Sequence, residues 1–434
     1  MHRRKTRINR APIRCVTVVP TPLPLSDLPL SFSLNLAGDK QREDRAMDRT
    51  QTRRSFILAS LTLSTPLSAW RTRSFADLAG GAKAKLPAEG GLIRVETSGS
   101  GYAVGRQYGE RLQQLLKRWV DGRLAEVKKS DRPGILQTAT EAMLEVLRQD
   151  FRFVIEEMKG MADAIGVPFQ DMAIVQLSAG FPLWRDEGGC SNVVFRRSDH
   201  GPILGKTLDA SVAGEETSTI RLIRPASGRT LVCESRINGL ATESGINDKG
   251  LAVGVSSVHF RTANKKGILR NLMPRLILQE CSDVEDAIRF VARYPVMRYG
   301  FQFALVDRSG NAAVIERSPT KQSVVRAEGV ALFCTNHCAT PGMRQLELSR
   351  GPVGDRNSDE RYANLQRITS APGFRPTLEI MKSIIMNHRV PGGICQHGEL
   401  EMYTRRAYIC RPAEAKFMVA AGPACSNEFQ EFSL

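Results

Sequence analysis

Histidine is scarce in this 434-residue chain, and its six copies are poorly placed for catalysis. His2 lies in a basic tail, and His200 and His397 occupy polar, turn-like stretches. His259, His337 and His388 follow no Cys-His-Asn order that would make a papain-like case. Zinc spacing is missing too. Cys334 and Cys338 with His337 between them come nearest, but no further ligand set lies close in sequence. Gly99, Gly101 and Gly105 do not fit a dinucleotide loop, and close helix packing is the expected use of these glycines. The short apolar run from Ile57 to Leu63 is far too brief to span a bilayer. These absences leave an expectation of no cofactor, no metal and no stable membrane insertion.

What is abundant is positive charge, at a formal +16, but it is unevenly spread. Residues 1–76 hold 14 Lys/Arg against 5 Asp/Glu, a net +9, and the much longer remainder carries only +7. With no Arg/Lys stripe interleaved with aromatics, a nucleic-acid partner is not expected. The front of the chain explains its own charge. Thr52-Arg53-Arg54-Ser55-Phe56-Ile57 precedes the short apolar run and a small-residue flank, which is the layout of a twin-arginine export signal. Residues 1–46 have little order-forming pattern, so Met47 is a plausible start, with signal cleavage after Ala69 or Ala76. The expected location is the periplasm or outside the cell.

Residues 1–76 are thus read as an extension plus signal, 77–91 as a linker, 92–189 as a mainly helical segment and 190–434 as a strand-rich one. A strand over "GLIRVETSG" leads into helical patterns, the longest from Ile135 to about Ala164. Past residue 190 the texture changes to strands near 191–195, 202–208, 218–223, 229–234 and 251–259, with "GINDKG" read as a turn. A helical region over 271–293 offers Ser282 as N-cap and Glu285 at the capping-box position. Two strands, "FQFALVD" and "AAVIERS", and another ending in "LFCTNH" follow. Helices near 358–369 and 377–387 precede strands at 402–410, 416–420 and 428–433. This order fits an α+β chain of packed sheets covered by helices rather than βαβ repeats. Cys395 and Cys410 are spaced to face each other across a loop.

The step "DEGGCSNVVF" falls where helices give way to strands. Cys190 can be a buried structural thiol at a strand start. It can also be a residue freed by cleavage after Gly189, carrying both a nucleophilic thiol and an α-amine of pKa about 8 to act as base. Spacing alone leaves both readings open.

In order along residues 92–434 come "GSGYAVGRQYGERL", "GGCSNVVF", "GPILGKTLDA", "GLATESGINDKGLAVGVSS", "NLMPRLILQECSDVEDAI", "VDRSGNAAVIERSP", "CTNH", "RYANLQRI", "GICQH" and "GPACSNEFQEFSL". Together they resemble the acyltransferase family typified by fungal isopenicillin N acyltransferase, a branch of the group containing choloylglycine and penicillin V hydrolases. The resemblance implies an N-terminal-nucleophile (Ntn) hydrolase with an αββα four-layer sandwich and a mainly helical N-terminal segment. It implies a precursor cut between Gly189 and Cys190, whose two fragments stay associated without a covalent bond. Cys190 is carried over as nucleophile, Asp209 as the carboxylate beside its amine or the leaving amine, and Asn336 as an oxyanion donor. Arg361 is carried over as the guanidinium fixing Asp209 or a substrate carbonyl. Two departures bear on substrate: Lys206 stands where the family usually has arginine, and Ser256 where asparagine is often found. Both are possible auxiliaries, and penicillin chemistry is not carried over. The expected function is a self-processing cysteine amidohydrolase acting on a linear or small cyclic amide or short peptide. An acyltransferase or peptidase using the same acyl-enzyme is the alternative, and a non-catalytic exported binding protein a more distant one.

Overall fold

A computed structural model describes residues 91–130, 133–177, 188–210, 218–264, 266–297, 300–398 and 402–434. Residues 1–76, read as extension plus signal, and nearly all of those read as linker lie outside the described residues.

The front of the chain gives one strand, β1 (Ile93–Gly99), and five helices: α1 (Gly101–Arg111), α2 (Gln113–Lys129), α3 (Pro133–Asp150), α4 (Arg152–Ile165) and α5 (Phe169–Leu177). Six strands follow: β2 (Gly189–Phe195), β3 (Ile203–Ala210), β4 (Ser218–Pro225), β5 (Leu231–Arg236), β6 (Thr242–Asn247) and β7 (Ala252–Ser256). Helices α6 (Met273–Glu280) and α7 (Val284–Arg293) lead to β8 (Phe301–Val306), β9 (Ala312–Arg317), β10 (Gln322–Arg326) and β11 (Ala331–Cys334). Next come α8 (Pro341–Arg344), α9 (Gly351–Thr369) and α10 (Leu378–Met386), and the chain closes with β12 (Tyr403–Arg411), β13 (Lys416–Ala420) and β14 (Phe429–Ser433).

The strands form two sheets. One has eight strands in the order β1-β4-β5-β6-β7-β8-β9-β10, and the other six in the order β11-β2-β3-β12-β13-β14. Strand alternation sorts the side chains into layers. In β8, Ala304 and Val306 point into the core between the sheets with Val194, Leu204, Tyr408 and Phe417, while Phe303 and Leu305 face the helical layer. Helices α1 to α7 cover that outer face, and α9 and α10 cover the six-stranded sheet through Leu365, Met381 and Ile385. The result is the expected αββα sandwich.

The front segment is built into this sandwich. β1 adds to the edge of the eight-stranded sheet by pairing in parallel with β4, whereas the other pairings are antiparallel. The glycines of α1 do serve packing: a Cβ on Gly105 would overlap the Glu157 carbonyl of α4, so the two backbones touch. Buried Glu157 receives Arg221 of β4 at 2.7 Å and lies 3.7 Å from Arg275 of α6.

The structure corrects several sequence expectations. The 135–164 pattern is two helices, broken at Phe151. "GINDKG" is strand as far as Asn247, because Gly245 fits flat against Cys233 and Leu278 where a side chain would clash. Asp283, not Ser282, caps α7: it has the extended backbone of an N-cap and its carboxylate accepts from Asp286 N–H at 2.8 Å. Cys395 and Cys410 do not face each other: Cys410 is buried in β12 beside Ser244 and the Gly245 carbonyl, and Cys395 lies 3.8 Å from Cys425.

Candidate active site

Gly189 and Cys190 begin β2, in the middle of the six-stranded sheet, where the register sets Gly189 opposite Asp209 and Cys190 opposite Leu208. Alternation then divides the site between two faces. Cys190, Asn192 and Lys206 point between the sheets, and Gly189, Ser191 and Asp209 point toward α9.

On the inner face Cys190 is 2% exposed. Burial raises its thiol pKa and the nearby Lys206 charge opposes that rise. Lys206 Nζ sits 3.8 Å from Cys190 Sγ, 3.6 Å from Glu243 and 5.3 Å from the Tyr408 ring centre. Burial penalises its charge, but the pull of Cys190, Glu243, Glu234 and Asp209 outweighs this and holds its pKa above the usual lysine value. Ser256 reaches the same layer, where its hydroxyl accepts from Asn192 Nδ2 at 2.7 Å.

On the outer face the backbone around Gly189–Cys190 is held atom by atom. Asn336 Oδ1 accepts from Cys190 N–H at 3.0 Å, Arg361 donates to the Cys190 carbonyl at 2.7 Å, and Arg350 donates to the Gly188 carbonyl at 2.8 Å. Arg361 also donates to Ser191 Oγ and Asn336 Oδ1, both at 2.8 Å, and to Asn357 at 2.9 Å. Its hydrogen bonds among the described residues therefore go to the Cys190 surroundings, while Asp209 feels it only through space. Asn336 Nδ2 donates to the Ser257 carbonyl at 3.0 Å, so in the uncut chain its oxygen, not its donor, addresses Cys190.

Asp209 is fully buried. Its Oδ1 accepts from Thr404 Oγ1 at 2.7 Å, and Oδ2 has no hydrogen-bond partner among the described residues. Burial pushes its pKa up, against the pull of Arg361 and the Thr404 hydrogen bond. A Cβ on Gly189 would stand 3.0 Å from that Oδ2 and 3.2 Å from Met402 Cε. Gly189 lies in strand conformation, so close approach of the carboxylate explains the glycine there. A small cavity of about 20 Å³ opens beside it, lined by Gly189, Asp209, Arg350, Gly354, Asn357, Arg361, Gln396 and Met402.

All six sequence candidates are thus near Cys190 or one layer away. Sequence reasoning missed Arg350, Asn357, Gln396 and Thr404. Arg350 and Asn357 sit just before and within α9, one to three turns ahead of Arg361, and helical spacing was the available signal. Thr404 is readable only from the β3–β12 register opposite Asp209.

Residues 196–378 match the family described as acyl-coenzyme A:6-aminopenicillanic acid acyl-transferase. The matched family is the one that the motifs resemble. The matched stretch includes Lys206, Asp209, Ser256, Asn336 and Arg361 and starts just after Cys190. No curated protein matches the chain closely enough to count as a relative. Solved structures similar to it include penicillin V acylase from Agrobacterium tumefaciens, at 13% identity and TM-score 0.34, covering 56% of this chain and 86% of that one. A conjugated bile acid hydrolase from Clostridium perfringens is similar at 11% identity and TM-score 0.37, covering 56% and 97%. The Caenorhabditis elegans ortholog of N-acylethanolamine-hydrolyzing acid amidase is similar at 13% and 0.37, covering 52% and 93%. These likenesses are too distant to carry substrate or mechanism.

Proposed function

We propose that this chain is a precursor that cuts its own Gly189–Cys190 bond and then works as a cysteine amidohydrolase. The observation that carries the reading is the grip on that bond: side chains of Asn336, Arg361 and Arg350 bind the Cys190 N–H, the Cys190 carbonyl and the Gly188 carbonyl. A structural cysteine at a strand start needs none of them.

In the first stage Cys190 Sγ attacks the Gly189 carbonyl carbon, the C–N bond breaks, and the thiol proton ends on the Cys190 nitrogen. Water then opens the thioester, leaving a carboxylate on Gly189 and a free amine on Cys190. Asp209 Oδ2, buried and unpartnered beside Gly189, is suited to bind that new ammonium or the amine of a leaving group. In the second stage the α-amine takes the thiol proton as Sγ attacks a substrate amide, and returns it to the departing nitrogen. Water releases the acyl group. An amine acceptor would make the same acyl-enzyme a transferase, but outside the cytoplasm, with no coenzyme A pool expected, water is the simpler acceptor. The front fragment would stay bound through the β1–β4 pairing and the Glu157–Arg221 pair.

Intact-mass and N-terminal analysis of active enzyme tests this. A large fragment beginning Cys190-Ser191-Asn192 is expected. Cys190→Ala should remain one chain and be inactive, and Cys190→Ser should cut slowly and turn over poorly because a hydroxyl is the weaker nucleophile. Full activity from a chain uncut at Gly189–Cys190 overturns the reading.

A further inference from the structure

Two of the motifs, "GICQH" and "GPACSNEF", meet on the far side of the catalytic aspartate. Cys395 and His397 come from the loop between α10 and β12, His388 from the start of that loop, and Cys425 from the loop between β13 and β14. The ligand atoms of His388, His397 and Cys425 all lie within 4.8 Å of one another. Cys395 Sγ is not in that group of three but lies beside two of its members, 3.4 Å from His397 Nε2 and 3.8 Å from Cys425 Sγ, and His397 Nε2 is 3.1 Å from Cys425 Sγ.

These spacings can be set against bond lengths. With zinc–sulfur bonds of about 2.3 Å and zinc–nitrogen bonds of about 2.0–2.1 Å, a tetrahedron has sulfur–sulfur edges of about 3.8 Å and sulfur–nitrogen edges of about 3.6 Å. The 3.8 Å between the sulfurs matches a tetrahedral edge and not the ~2.05 Å of a disulfide, and the sulfur–nitrogen distances of 3.4 and 3.1 Å are somewhat shorter than their ideal edge. A disulfide between the two sulfurs would also leave the paired imidazoles, with ring centres 5.1 Å apart, without a reason to gather there.

We propose that Cys395, His397, Cys425 and His388 form a structural zinc site. Two thiolates and two imidazoles are a borderline-soft donor set that suits zinc, and four protein ligands close the coordination sphere, so the metal is a clamp and not a reactant. Each thiol gives up its proton on coordination. The clamp joins the 388–397 loop to the 421–428 loop. Gln396, between two of the ligands, donates its backbone N–H to Thr404 Oγ1 at 2.8 Å, and Thr404 donates to Asp209 Oδ1 at 2.7 Å. The metal would thus fix the loop that orients the site carboxylate. The ligands come from three places in the chain, which is why linear spacing shows no zinc motif.

The test is metal content, read independently of activity or processing. Protein purified in metal-free buffer after growth with zinc should contain about one zinc per chain by plasma mass spectrometry. Cobalt(II) loaded into the chelator-stripped protein should show the visible bands of a tetrahedral thiolate site. His388→Ala removes an exposed side chain and should leave folding intact, yet weaken zinc binding by more than the roughly 10–100-fold that losing an outer-shell partner costs. Cys425→Ser should abolish the cobalt thiolate charge-transfer band. A zinc-free chain whose peptide map contains a Cys395–Cys425 disulfide overturns the proposal. So does zinc binding of equal strength in both variants.

Discussion

Asn336 makes contacts with both ends of one amide, and the two ends can be separated. Its Oδ1 accepts from Cys190 N–H and from Arg361, and its Nδ2 donates to the Ser257 carbonyl. The resemblance assigns it oxyanion donation, whereas the uncut chain uses its oxygen to hold the Cys190 nitrogen. Asn336→Asp keeps an acceptor for Cys190 and Arg361 but removes the donor. If donation supports turnover, this variant should cut itself and then turn over roughly 10²–10³-fold more slowly, the usual effect of losing one oxyanion donor. Asn336→Ala lacks both ends and should be slower in cutting as well. Fragment formation by intact mass, beside kcat per titrated Cys190, separates the two. An Asp variant within a few-fold of the parent would reduce Asn336 to a holder of the Cys190 nitrogen.

At the scale of elements, the packed faces of β3, β5 and β6 bury an acidic pair behind Cys190. Glu243 lies 3.6 Å from both Lys206 and Arg236, and buried Glu234 is its neighbour on β5. Burial, and then the Glu243 charge, push the Glu234 pKa up to about 7 from 4.5. The folded chain therefore binds this proton more tightly than the unfolded chain, and stability falls as pH rises from about 4.5 to about 7. Glu234→Gln removes that dependence, so the stability of the variant relative to the parent should climb across the window by roughly 3 kcal/mol. His337, lowered to about 4 chiefly by burial, acts in the opposite direction but is present in both chains and cancels. Urea midpoints at several pH values measure the difference, and a flat difference would mean Glu234 is ordinary.

The same layer shows what the sequence could and could not tell. Most strand positions were legible because alternation or apolar runs are local signals. The β2 start, the α9–α10 pair and the last three strands fall close to where the residues suggested. β6 was hidden by its own glycine, which reads as a turn until its sheet neighbours are known. Of the site, Cys190, Asp209, Asn336 and Arg361 were reachable through motifs. Arg350, Thr404, Glu234 and Glu243 were not, since their roles arise from register and from contacts between elements far apart in the chain.

Over the whole molecule, topology bears on how the chain would leave the cytoplasm. β1 and β4 pair in parallel across more than a hundred residues that include five helices, so the eight-stranded sheet cannot be completed until β4 has arrived. Non-local pairing of this kind folds slowly and leaves sheet edges open meanwhile. A route that carries folded protein suits such a chain, and Arg53-Arg54 ahead of a short apolar run is the layout that route reads. Among the described residues no helix is long and apolar enough to cross a membrane. We propose twin-arginine export to the periplasm. Replacing both arginines with lysine should hold the protein in the cytoplasm with its fold intact. The proposed self-cutting would need only the folded site, so the trapped protein should still split at Gly189–Cys190, with residues 47–76 attached to the smaller fragment. Fractionation with mass analysis of both fragments reads the two events apart. Export of the lysine variant at the parent's level would remove the twin-arginine assignment, and trapped but folded protein that never splits would tie cutting to the destination compartment instead of to the fold.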